Sequence, residues 1–115
     1  AALAQNGFDG QETANRLSEN FDGRRGYGPG VYSVLCRLRR GVAWNEAGGN
    51  LFGGEGSLGN AGAVRVVPLA LLYARPEQTA LLGRVAALSA SITHTHPIGQ
   101  AGAVLHAFAL AQTLR

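Results

Sequence analysis

The sequence predicts an all-α fold of about five helices, and three observations carry that expectation. Apolar residues recur at three- and four-residue intervals, as in Val31, Val34, Leu35 and Leu38, or Leu81, Val85, Leu88 and Ile92. Turn-rich segments such as DGRRGYGPG separate these runs. No stretch reads as a convincing strand.

The first helix is predicted to start after Asp9, which has capping-box spacing to Glu12. Ala14, Leu17 and Phe21 then share one face. Pro29 sits where a first-turn proline is tolerated and opens the second helix, which Gly41 stops. Residues 41 to 59 read as a long loop whose glycines disfavour regular structure. Its Trp44, Leu51 and Phe52 are seldom left in water, so the loop should be packed down. The third helix is predicted from about Asn60 to Tyr73, with Val64, Val67 and Leu71 on one face, Leu69 and Leu72 on another, and a bend at Pro68. The fourth begins at RPEQ, with Pro76 in its first turn. The fifth, after Pro97, is apolar on two sides: Ile98, Ala101, Leu105 and Phe108, then Val104, Ala107, Ala111 and Leu114. An element apolar nearly all round should be central, and Gly99 and Gly102 would let a neighbouring backbone come close.

A chain of 115 residues fits one domain, and 46% hydrophobic with 15% charged residues describes a globular protein rather than a disordered one. No apolar run approaches the roughly 20 residues of a membrane span, and no basic-then-apolar leader opens the sequence, so a secretory signal is absent or already removed; no membrane partner and a cytoplasmic location are expected. The lone Cys36 excludes an internal disulfide and a multi-cysteine metal site, and is expected buried on the second helix. The net charge is +3, and all ten basic residues are arginine. Arg37, Arg39 and Arg40 end the second helix, where its dipole favours them; without a longer basic face and interleaved aromatics, no nucleic-acid partner is expected. The chain has no methionine and closes on AQTLR without a capping signal, features expected of an excised or truncated piece.

Two segments could carry chemistry. EGSLGNAGAVRV crowds three glycines, a serine and an asparagine into eight residues at the start of the third helix. Either Ser57 or Asn60 caps that helix, or its free N–H groups bind an anion such as phosphate. No lysine follows the glycines, so this is not a nucleotide P-loop. SITHTHPIGQAG brings His94 and His96 to a helix junction, where a neutral imidazole bonding backbone or ligand is a more natural role than a metal site lacking a third ligand. His106 reads as a packed or half-exposed helix residue. The seven carboxylates form no pair or D-x-D cluster, and Ser57 has no evident base, so neither a metal centre nor a nucleophilic triad is indicated.

Together, GSLGNAGAVRVVPLALLYA and ITHTHPIGQAGA resemble the ADP-ribosylglycohydrolase family, which spans ADP-ribosylhydrolases, dinitrogenase reductase-activating glycohydrolases and some jellyfish lens crystallins. RRGYGPGVYSVLCRL extends the resemblance to residues 10–115, a single, partial helical domain of that kind. The resemblance implies that Gly56, Ser57, Leu58, Gly59 and Asn60 contact ADP-ribose, that Phe52 packs on its adenine and that His94 lines the site. Val64 and Ala61 depart from the family's usual methionine and glycine, and Leu58 from a frequent aromatic. The family's magnesium ions are held by acidic motifs before and after this region, so no cofactor, no metal ligand and no catalytic residue are assigned within this chain. Expected from this are weak ADP-ribose binding, no hydrolysis by the chain alone, and a homo-oligomer covering apolar surface on the fifth helix. A non-catalytic nucleotide-binding module and a crystallin-like structural protein remain the alternatives. Gly59→Val is the indicated test of the loop, through backbone approach and local φ.

Overall fold

The computed structural model describes residues 8–49 and 51–115. They form α1 (Gly10–Glu19), α2 (Pro29–Arg39), α3 (Ala61–Val64), α4 (Val67–Leu72), α5 (Thr79–Ser91) and α6 (Pro97–Thr113), with 3-10 turns at Leu51–Gly54 and Pro76–Gln78. No strand occurs among the described residues. The predicted third helix is present as α3 and α4, so the all-α reading holds.

Helix α1 starts as the sequence indicates. The Glu12 N–H donates to Asp9 Oδ1 at 3.0 Å, but the Glu12 carboxylate turns to Arg16 Nε at 2.9 Å, so only half of the capping box forms. Helices α1 and α2 bury Ala14, Val34, Leu35 and Leu38 together with Ala47 and Leu51 of the long loop. Trp44 fits because residue 10 is glycine: a Cβ there would lie 2.5 Å from Trp44 Cδ2. Arg37 Nη1 donates to the Ala47 carbonyl at 2.9 Å, and Arg39 lies 5.5 Å from the Phe21 ring centre. The basic cluster is thus partly spent on the protein's own loop and aromatics. The expected packing-down of the loop holds for Trp44 and Leu51 but not for Phe52, which is 59% exposed. Cys36 is half-buried rather than enclosed.

Pro68 does more than bend the third element. It lacks the N–H that would bond the Val64 carbonyl, and the chain passes through a turn at Arg65 and Val66 (ψ −1° and −3°) before α4 starts. The turn shifts the helical phase. Val66, Leu69, Ala70 and Tyr73 go inward, while the predicted core residues Val64, Val67 and Leu71, with Leu72, face out. A similar rotation appears on α5, which buries Leu82, Val85, Ala86 and Ala90 and leaves Leu88 outside.

Helix α6 is central in that it packs against α3, α4 and α5, but it is not buried all round as its composition suggests. Its buried face is alanine, at 103, 107 and 111, whereas Ile98, Leu105, Phe108 and Leu114 are exposed. The physical reason is distance: small side chains let α5 and α6 approach closely, and larger ones are turned away. Phe108 folds back over Gly83, where a Cβ would lie 3.0 Å from Phe108 Cζ. Gly102 has no neighbour within 4 Å, so its predicted close approach is absent; Gly99 has one, described below. His106 is half-buried and its Nδ1 donates to the Ala63 carbonyl at 2.7 Å, tying α6 to α3.

Helix α5 joins the two halves of the core. Leu82, Val85, Ala86 and Ala90 pack with α4 and α6, and Ile92, just past the helix end, packs with α1 and α2. The α5–α6 junction is therefore buried, with Ile92, Thr93 and His94 all 0% exposed.

Candidate functional site

A cavity of about 420 Å³ opens between two glycine-rich segments. One wall is the start of α2, Gly28 to Val31, with Phe52; the other is Glu55 to Ala61, with His94 and His96 beside it. Every site residue assigned from the sequence lines this cleft: Phe52, Gly56, Ser57, Leu58, Gly59, Asn60 and His94. Sequence reasoning missed the opposite wall. Its signal was the glycine and proline spacing of GYGPG, which reads as an ordinary connection until the tertiary structure sets it against residues 56–60.

The long loop reaches the cleft through left-handed backbone. Gly53, Gly54 and Gly56 have φ of 70°, 92° and 87°, and Phe52 adopts φ 51° and ψ 49°. A non-glycine residue there costs about 1–3 kcal/mol, and such outliers cluster at ligand sites. The Phe52 ring lies over Gly30, where a Cβ would come within 3.3 Å of Phe52 Cε2. Glycine at 30 thus leaves room for an aromatic face at the cleft edge. Pro29 has no N–H, and the Gly30 and Val31 N–H groups have no acceptor within their own helix, so the first turn of α2 points donors and its dipole toward the cleft.

The second glycine segment is seated on the α5–α6 junction. A Cβ at Gly56 would lie 2.5 Å from the His96 backbone nitrogen and against Thr95 Oγ1. A Cβ at Gly99 would lie 2.6 Å from the Ser57 carbonyl oxygen. Ser57 closes a local turn, its Oγ accepting from the Gly59 N–H at 3.1 Å, and Asn60 at the α3 N-cap makes no side-chain capping bond. Neither residue therefore caps α3 as the sequence suggested. Gly59 is not left-handed, so φ is not what constrains it. Proximity is: its Cβ would sit 3.3 Å from Ser57 Oγ and 3.6 Å from His94 Nε2.

His94 floors the cleft. Its backbone is fixed by the Ala90 carbonyl, which accepts the His94 N–H at 2.7 Å, and by Gln100 Nε2, which donates to the His94 carbonyl at 3.0 Å. Its Nδ1 lies 2.6 Å from Thr93 Oγ1, and Thr93 Oγ1 accepts a hydrogen bond from Arg65 Nη2. His94 Nε2 is buried and has no partner among the described residues. Burial first, then the Arg65 charge, holds the imidazole below its usual pKa, so it is neutral at pH 7. Burial also lowers the Arg65 guanidinium to about 10, which leaves it charged. His96 plays a different part. Its Nδ1 accepts from the Ile98 N–H at 3.1 Å and caps α6.

A magnesium site does not fit the residues described. Among them no three His, Cys, Asp or Glu side chains come together as a metal cage, and the cleft's carboxylate, Glu55, is exposed.

The described helices set two glycine segments and a histidine around one concave cleft, the shape in which small-molecule sites are commonly found. The chain belongs to the ADP-ribosylglycohydrolase family, whose model matches residues 1–115. It is 36% identical to the ADP-ribosylhydrolase ARH3 of Homo sapiens over 112 residues, 94% of this chain and 30% of that protein. The ARH3 of Danio rerio is 34% identical over 112 residues, again 94% of this chain and 30% of the relative. An uncharacterized protein of Archaeoglobus fulgidus is 35% identical over 106 residues, 90% of this chain and 32% of the relative. The chain spans about 30% of the length of the ARH3 relatives it matches.

Proposed function

We propose that this chain supplies an ADP-ribose-holding part of an ADP-ribosylhydrolase site. The observation that carries the reading is the convergence of residues 28–31 and 56–60 on one cleft floored by His94. Backbone donors at the start of α2 suit the pyrophosphate, the exposed Phe52 ring offers the adenine an apolar face, and His94 offers one hydrogen bond. Helix α2, at eleven residues, contributes the larger dipole; α3, at four, contributes little. This reverses the weight the sequence alone puts on the third helix. Family membership and the names of the relatives support the ligand class.

ADP-ribose is expected to bind this chain at about millimolar Kd, the weak end of the usual scale, since few polar contacts hold it. Titration of labelled protein should move the amides of residues 30–31 and 56–60. Incubation with ADP-ribosylated arginine or serine peptide in magnesium or manganese should leave the substrate intact. Unmoved cleft amides would remove the binding reading. Release of ADP-ribose that a chelator abolishes would show that this chain builds a metal centre after all.

We further propose that the chain self-associates and works in the cytoplasm. Large apolar side chains stay exposed on α3, α4 and α6, among them Val64 and Leu71 at 62% each and Leu105 at 71%. No described helix is long and apolar enough to cross a membrane. Sedimentation at high micromolar concentration should show a dimer or larger species, the symmetric dimer being commonest. A well-behaved monomer there would overturn the proposal.

A further inference from the structure

The geometry points to Arg65 and Thr93 as positioning residues that hold His94 in one tautomer, with its Nε2 proton presented to the cleft as a donor for a ligand oxygen. The inference rests on the proposed binding function for its ligand, but the tautomer itself stands on this chain's own contacts.

The argument is a count of protons. Arg65 has donors only, so the lone pairs of Thr93 Oγ1 receive its Nη2–H. The threonine hydroxyl then has one proton left to place. The other partner of Thr93 Oγ1 is His94 Nδ1, at 2.6 Å. A neutral imidazole accepts there only if Nδ1 carries no hydrogen, which puts the proton on Nε2. In the opposite tautomer Arg65 Nη2–H and His94 Nδ1–H would both donate to Thr93 Oγ1 and fill its two lone pairs. That arrangement would leave the Thr93 proton without an acceptor among the described residues, in a residue that is 0% exposed. A buried imidazolium would place a second positive charge beside the Arg65 guanidinium, itself enclosed and with its Nε unpartnered among the described residues.

Two features of the cleft agree with a donor. His94 Nε2 is sealed from solvent and makes no hydrogen bond of good geometry among the described residues; the nearby Gly59 backbone favours a proton on the ring, and an oxygen placed closer in line would complete the bond. The adjacent position is Gly59, where a Cβ would lie 3.6 Å from Nε2, so any side chain there would add to the cover over this nitrogen. The direction of the bond also has a chemical consequence. In this tautomer Nε2 offers a proton and no lone pair, which suits a phosphate or ribose oxygen rather than a metal ion.

The test reads the tautomer directly. Long-range 1H–15N spectra of the ligand-free protein at neutral pH should show His94 Nε2 as pyrrole-like and Nδ1 as pyridine-like. Thr93→Val keeps the shape and deletes the hydroxyl; it should shift His94 toward mixed or Nδ1–H tautomers and weaken ADP-ribose about tenfold, the factor that about 1.4 kcal/mol carries. Thr93→Ser should restore both the wild-type signature and the affinity, which a purely structural role for the residue would not require. A pyridine-like Nε2 in the wild-type protein overturns the proposal whether or not any variant folds. So does a Thr93→Val protein with the wild-type spectrum. If the wild-type tautomer is as stated but ADP-ribose leaves the spectrum unmoved, the positioning by Arg65 and Thr93 stands and the ligand assignment falls.

Discussion

Gly56→Ala should destabilise the protein by about 2–5 kcal/mol and abolish ADP-ribose binding. Two costs add at this position. Gly56 has φ 87°, where an L side chain costs about 1–2 kcal/mol. The new methyl would also press on Thr95 Oγ1 and on the His96 backbone nitrogen, and overpacking of this kind costs about 1–3 kcal/mol. Relief requires residues 56–59 to lift away from the α5–α6 junction, which separates the loop from His94. Gly54→Ala is the control, because its φ is 92° but no atom lies within 4 Å of the added Cβ. It should cost only the backbone share. Urea unfolding of the two variants gives the difference, and equal values would show that the loop is not seated on residues 95 and 96.

Leu82→Ala should cost about 2–5 kcal/mol, the range for a fully buried leucine, while Leu105→Ala should stay within about 0.5 kcal/mol. Leu82 is 0% exposed among Val85, Ala86 and the alanine face of α6, whereas Leu105 is 71% exposed. Against a total stability of about 5–15 kcal/mol for a domain of ordinary size, the first change removes a large share. The pair also tests how α6 is used. If Leu105→Ala proves as costly as Leu82→Ala, the large side chains of α6 form a core after all, as its composition had suggested. A concentration-dependent cost at Leu105 would instead place it in a contact between copies.

The local chemistry of the helices was legible in the chain. Asp9, Pro29, Gly41 and Pro97 mark ends that the structure places within a residue or two, and Pro76 opens the 3-10 turn that leads into α5, because capping and proline geometry act over a few residues. The faces were less legible. Val64, Val67 and Leu71 fit a helical stripe, yet a two-residue turn ahead of Pro68 changed the phase and turned them outward. On α5 and α6, Leu88 and Leu105 looked as apolar as Leu82, and periodicity could not tell that alanines would make the tight contact.

For the candidate cleft the division is similar. Residues 52, 56–60 and 94 could be named from the sequence because the family's glycine loop and T-H motif are compact patterns. Sequence alone determined an all-α chain, its helix ends, its family and one wall of the cleft, since each rests on residues near one another along the chain. Only the tertiary structure decided that Gly28, Pro29 and Gly30 form the opposite wall and that Gly56 and Gly99 are spaces another segment fills. It also decided that Arg65, 28 residues before Thr93, reaches His94 through the threonine hydroxyl. These are contacts between distant segments, and their energies depend on distances of a few tenths of an ångström that no local pattern encodes.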